Sequence, residues 1–403
     1  MSESSFGPSF GPSFGLLLDA VSDPSPDPSF RRAGPQALAA ALQASRRDTL
    51  ATLACFEAAL PNTQVPRHAD LNPPLWELGH IHWFAQHWLA RNPQRALGAK
   101  ADPQARRSAA LAPDDDRLFD SSRVAHSSRW DLPLPPAAAL KDMLAEGLER
   151  TLALLTDCAP DDDSLYFHRL VLAHEDMHHE AALYMAQALG VPVADARWQP
   201  QALTTRRDGL FLESGPVDLG WHGDGFAFDN ELGAHRIQLP ASTIDSRVLT
   251  WAEYLPFVTA TAQASPRYLR RHGGGWQQQR NGQWLSLDMD LPACHLRAQD
   301  AQAWCAWAGR RLPTEAEWER AAVQAGSAFV WGAVWEWTAS PFTPYPGFRP
   351  HPYLDYSAPW FGTRRVLRGA SIATQPRLRD VRYRNFYAPD RDDIFAGFRT
   401  CAA

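Results

Sequence analysis

No apolar run in this 403-residue chain approaches the roughly 18 residues that a membrane-spanning helix needs, so no such span is expected. Cysteine is sparse. Cys55, Cys158, Cys294, Cys305 and Cys401 are scattered, with no CxxC pair and no secreted-type framework, which predicts a reducing cytoplasm. Positive charge is not in excess: the net charge is −6, which argues against a general nucleic-acid binder. The first residues lack a basic start followed by an apolar core, so no secretory signal is expected there. Ordinary globular composition remains, 45% hydrophobic and 21% charged, enough for two cores.

The chain divides by its patterning. Residues 1–34 contain the repeat SFGPSFGPSFG, too rich in Gly and Pro for helix or strand, and read as a disordered tail. Residues 35–190 carry helical periodicity in four segments: one from about residue 35, then 75–89, 137–155 and 165–189, the last ending at Gly190. This predicts a four-helix bundle. Residues 92–136 show little periodicity and are expected to wrap its surface. Residues 191–208, with Pro192 and Pro200, read as a linker. From 209 to 403 short apolar runs alternate with Gly, Pro, Asp and Asn, predicting an irregular α+β domain with helices at 298–309 and from Thr314, where Glu317 completes a capping box. Most of the 16 tryptophans fall in this half, where core packing is their simplest use.

Histidine is where the chemistry concentrates. His80, His82, His87, His168, His174, His178 and His179, half of the chain's 14, fall in two helical segments. His174 and His178 are four apart, on one helix face, and suit a shared metal ion; His80 is the candidate third ligand. His82, His87 and His179 point elsewhere by their spacing. Glu180 is a candidate acceptor behind a ligand imidazole. Ligand type alone leaves zinc, iron and copper open. HEDMH also satisfies the zinc peptidase pattern H-E-x-x-H, with Glu175 as base, but the 20 residues after Glu180 hold no His or Glu to complete it.

The strings WxLxHxxWF (76–84) and HxxxHxE (174–180) match the iron site of the EgtB-type ergothioneine sulfoxide synthase family, whose N-terminal part is a DinB-like four-helix bundle. FAFDNE (226–231), RLPTEAEWERAA (311–322), VWEWTASPF (334–342), RNF (384–386) and GFRTC (397–401) resemble the formylglycine-generating-enzyme-like (C-type-lectin-like) fold. The resemblance implies an Fe(II) enzyme that uses O2 to join a sulfur donor to the imidazole C2 of hercynine, trimethylated histidine. It implies His80, His174 and His178 as iron ligands and, in PYLDYS, Tyr353 as the catalytic tyrosine and Tyr356 as a substrate contact. Asn385 would hold hercynine, with Phe386 and Tyr387 suited to its trimethylammonium group. Only Cys401 stands where copper-binding relatives carry a cysteine pair, so the second domain would serve as scaffold and substrate wall.

Departures from the family concern the donor. Tyr387 and Met177 replace an Asp and a Gln that hold γ-glutamylcysteine, and the usual arginine pair is missing; Arg123 and Arg129 are the candidate substitutes. LFDSSRVAHSSRWDLPLP (118–135) looks most like the selenoneine synthase (SenA-type) branch, whose donor is a selenosugar. The alternative is a sulfoxide synthase using cysteine or another thiol. A zinc hydrolase or thiol transferase on the same bundle, and a binding protein without catalysis, stay open.

Overall fold

The structure is a computed structural model and describes residues 29–110 and 114–403. The repeat at 4–15, and with it most of the expected tail, lies outside the described residues. The tail does not extend to residue 34. Ser29–Arg32 forms a short helix (α1), and the buried Arg31 guanidinium makes a bidentate ion pair with Glu231 at 2.7 Å.

The N-terminal part is helical. Pro35–Ala59 (α2) and Pro74–Ala85 (α3) both start on proline, whose fixed φ suits the first turn. α3 runs on into a π-turn at Gln86–Ala90. After the short Asp115–Phe119 (α4) come Ala137–Thr156 (α5) and Asp162–Leu189 (α6). The Asp161 side chain caps α6 by accepting from the Ser164 amide, and Gly190 ends it in the left-handed region at φ 71°. α2 buries Leu38, Leu42, Ser45, Thr49, Thr52 and Phe56, a single face at three- and four-residue spacing. α6 is buried without a break from Leu165 to Asp176, because it lies between the other helices and the second half.

The C-terminal half is β-rich. One four-stranded sheet orders Gly209–Leu212, Ser242–Asp245, Cys401–Ala402 and Arg310–Arg311. The other orders Asn385–Tyr387, Arg365–Gly369, Trp335–Pro341 and Ala396–Gly397, so the chain's end returns to both sheets. Three helices accompany them, Trp251–Thr261 (α7), Ala298–Trp307 (α8) and Glu315–Gln324 (α9). α9 has the expected capping box. α7 was not expected: Pro256 inside it reads as a breaker, yet Thr250 and Glu253 form a capping box at its start. Trp251, Trp318, Trp335 and Trp337 are fully buried core residues.

Two expectations need correction. Residues 92–136 do not merely wrap the surface. Phe119 is fully buried, and the Leu118 carbonyl accepts from the Trp76 indole at 2.9 Å. Gly79 permits this approach, since a Cβ there would lie 2.0 Å from the Phe119 ring. Residues 191–208 are a packed strap rather than a free linker: Val191, Val193 and Trp198 are buried, and Arg197 pairs with Asp48 on α2 at 2.7 Å.

Glu180 on α6 docks the two halves. Its buried carboxylate accepts from the Trp335 indole (2.7 Å), the Ser371 hydroxyl (2.6 Å) and the Thr374 hydroxyl (2.8 Å). Glu180→Ala leaves three buried donors without their acceptor and is expected to cost about 3 kcal/mol of stability. Thermal unfolding checks this; an unchanged midpoint would remove Glu180 from the docking contacts.

Candidate metal centre and the cleft beside it

α3 and α6 bring three imidazoles together. One nitrogen each from His80, His174 and His178 lies within 4.8 Å of the others, the one such group found among the described residues. The Nε2 atoms of His174 and His178 are 3.1 Å apart. Two nitrogens bound at about 2.1 Å and at right angles around one cation would stand about 3 Å apart. The His80 ring centroid is 5.0 Å from each of the other two.

Two of the three far nitrogens are held as a ligand set requires. His80 Nδ1 is 2.8 Å from the Phe119 carbonyl. A carbonyl only accepts, so that hydrogen bond assigns the proton to Nδ1 and leaves the Nε2 lone pair for a cation. His178 Nδ1 is hydrogen-bonded to the Glu77 carboxylate, which also accepts from Asn72 at 2.5 Å. The His174 ring lies flat on Phe84, centroids 3.5 Å apart. Burial, helped by the neighbouring His178, pushes His80 down to about 3, and burial pushes His174 well below its ordinary value. Burial alone would raise Glu77, but the adjacent His178 outweighs it and holds that carboxyl at about 2. Imidazoles backed by a carboxylate and a carbonyl fit a divalent cation.

Glu77 sits in the WELGH string but was not singled out. Its signal was an acid one turn before His80 in an otherwise apolar helix. Glu180, expected in this role, faces the second half instead: it is two residues beyond His178, about 200° around the helix. Glu175 is also turned away, held by Arg46 at 2.7 Å and Thr49 at 3.0 Å on α2, which removes the peptidase base. His179 bonds Thr52 at 3.0 Å, and neither His82 nor His87 joins the triad.

A cleft of about 670 Å³ opens beside the triad, lined by both halves of the chain. Tyr353, Tyr356, Met177, Arg129 and Phe386 all line it. Tyr353 packs edge-on to Phe84 (5.0 Å) and lies 6.3 Å from His174, centroid to centroid; burial raises its hydroxyl above the usual range. Tyr356 stacks on Phe228 at 4.4 Å. The Tyr383 hydroxyl donates to the Met177 sulfur at 3.4 Å. Arg129 lies over the Trp76 ring at 3.7 Å and donates to Asn72 at 2.7 Å. Asn72, Ser121, Ser122, His126 and Asp355, not foreseen, complete the polar wall.

Three expected contacts are not among the residues that line the cleft. Arg123 is exposed and pairs with Asp120 at 3.2 Å. Asn385 and Tyr387 flank Phe386 on one strand, and neither is among the residues that line the cleft. The Asn385 side-chain oxygen accepts from the Phe386 amide at 2.8 Å, and Arg391 lies over the Tyr387 ring at 5.3 Å.

Glu77→Gln keeps the shape but removes the charge behind His178. It is expected to weaken divalent metal binding by about 10- to 100-fold, measured by competition with a chromophoric chelator.

Comparison with known proteins bears on both halves. The sulfatase-modifying factor enzyme 1-like domain family matches residues 195–333 and 324–403. The formylglycine-generating enzyme of Streptomyces coelicolor is 26% identical over 54% of this chain and 96% of its own length. The hercynine oxygenase of Mycolicibacterium smegmatis is 30% identical over 90% of this chain and 98% of its own length. That of Mycobacterium tuberculosis is 30% identical over 91% and 98%. With similarity running through the helical part and the β-rich part alike, this chain belongs to the hercynine oxygenase family.

Proposed function

We propose that this chain is an iron(II)- and O2-dependent enzyme that joins a selenosugar to the imidazole C2 of hercynine, a selenoneine synthase of the SenA type. The observation that carries the metal chemistry is the triad itself, two of whose imidazoles, His174 and His178, line the cleft that Tyr353 also lines. The helical part then serves as a DinB-like bundle and the second half as a substrate wall. Replacing C–H and Se–H by one C–Se bond releases two protons and two electrons, and dioxygen is their acceptor. Bound iron(II) supplies open positions and one-electron chemistry toward dioxygen.

The chain's own residues do the rest. His80, His174 and His178 hold the cation, with Glu77 and the Phe119 carbonyl fixing two of the rings. The buried Tyr353 hydroxyl stays protonated at neutral pH and stands ready as a proton or hydrogen-atom donor. Tyr356 and Phe386 offer ring faces to a trimethylammonium group. Met177 stands where a glutamine would hold an amino-acid donor and Tyr387 is not among the lining residues, whereas Ser121, Ser122, Asn72 and Asp355 suit a hydroxyl-rich donor. Five free thiols suit the reducing cytoplasm, and no helix of the described residues is long and apolar enough to cross a membrane.

The kinship with hercynine oxygenases favours a second reading, a sulfoxide synthase taking cysteine or another thiol. A product assay with hercynine, iron(II), air and a panel of sulfur and selenium donors separates the two. A selenium-containing product from the selenosugar is expected; turnover of cysteine with the selenosugar untouched would overturn the selenium reading. A zinc hydrolase would take up no oxygen. Tyr353→Phe is expected to lower turnover by about 10²-fold with iron content unchanged, read by single-turnover kinetics and metal analysis.

A further inference from the structure

Within the segment FAFDNE, three residues together hold the loop that carries both cleft tyrosines. Loop 351–357 begins at His351 and ends at Ser357. The Ser357 hydroxyl donates to Asp229 Oδ1, and the His351 amide donates to Asp229 Oδ2 at 3.4 Å. One carboxylate therefore gathers both ends of the loop. On its two sides Phe228 stacks on the Tyr356 ring, and the Asn230 amide donates to Ser357 Oγ at 3.1 Å. Asp229, Asn230 and Ser357 are all buried, so these bonds face little competition from water.

The start of the loop has a second tether. The His351 ring shares a hydrogen bond with the Tyr166 hydroxyl at 2.9 Å. Tyr166 is on α6, eight residues before His174. The helix that carries two of the triad imidazoles is thus tied directly to the loop that carries Tyr353.

We propose that Asp229 is a positioning residue, whose carboxylate clasps both ends of loop 351–357 and so fixes Tyr353 and Tyr356 against the triad. The kinetic part rests on the proposed reaction; the mechanical part does not. A short loop joined at its two ends loses most of its conformational freedom, and a reacting group displaced by about 1 Å can lose 10²-fold in rate.

The test uses full-length Asp229→Ala and the milder Ser357→Ala, which removes one arm only. Hydrogen exchange of the amides at 353–356 is expected to rise by about tenfold or more in Asp229→Ala, and by less in Ser357→Ala, with α6 unchanged. Turnover of hercynine is expected to fall about tenfold in Asp229→Ala, but to show no further fall when the change is made in a Tyr353→Phe background. Bound metal should stay at the parent level. Unchanged exchange in the loop of both variants overturns the clasp, whatever the chain does to hercynine. An equal loss of rate in both backgrounds overturns the action through Tyr353. Failure of the parent to turn over hercynine would sink the proposed reaction instead, and the exchange comparison would still decide the clasp. If Asp229→Ala does not fold, Ser357→Ala decides on the same readings.

Discussion

Two opposite faces of one helix govern the molecule. Along α6 the residues His174, Asp176, His178 and Glu180 follow each other two apart, so each step turns about 200°. The histidines share the face that meets α3 and the cleft. The acids share the other. Asp176 is held by Ser45 on α2 and by Arg377 from the second half, and Glu180 by Trp335, Ser371 and Thr374. A rotation of α6 that moved the imidazoles would strip both acids of their partners. The docking of the halves and the aim of the triad are therefore one constraint.

The second half answers with a fixed wall. Its tyrosines sit on an irregular loop, which by itself has few backbone bonds to hold it. Buried side chains supply the order that secondary structure does not: Asp229 and Asn230 from below, Phe228 against Tyr356, and Tyr166 from α6. Arg31 extends the same logic to the N-terminal side, where its ion pair with Glu231 ties α1 to the end of FAFDNE. The cleft is thus assembled largely from α6 and from irregular segments that are far apart in sequence.

What could be read in advance follows periodicity. The two ligand helices, the Gly190 that ends the second and the i, i+4 histidine pair depend on spacing along one helix, and spacing is visible in a string of letters. The errors share a cause as well. Glu180 and Glu77 are both acids in ligand helices, and only the packing of α6 on the second half sends one to Trp335 and leaves the other beside His178. Asn385 and Tyr387 were placed at the cleft by motif, but of this strand only Phe386 is among the residues that line it. Residues 92–136 showed no period, so nothing announced that Phe119 would enter the core opposite Gly79 and lend its carbonyl to His80.

The sequence alone determined the local matters: where helices start and stop, which histidines share a face, and which pieces carry a family's motifs. These rest on short-range sterics and on the helical repeat, which neighbouring residues suffice to express. Tertiary structure decided which carboxylate backs which imidazole, which tyrosines border the cleft, and how a formless loop is held. Those depend on contacts between residues 39 to 194 positions apart, from the His80–Phe119 bond to Glu180–Thr374, and no local pattern encodes a distance through space.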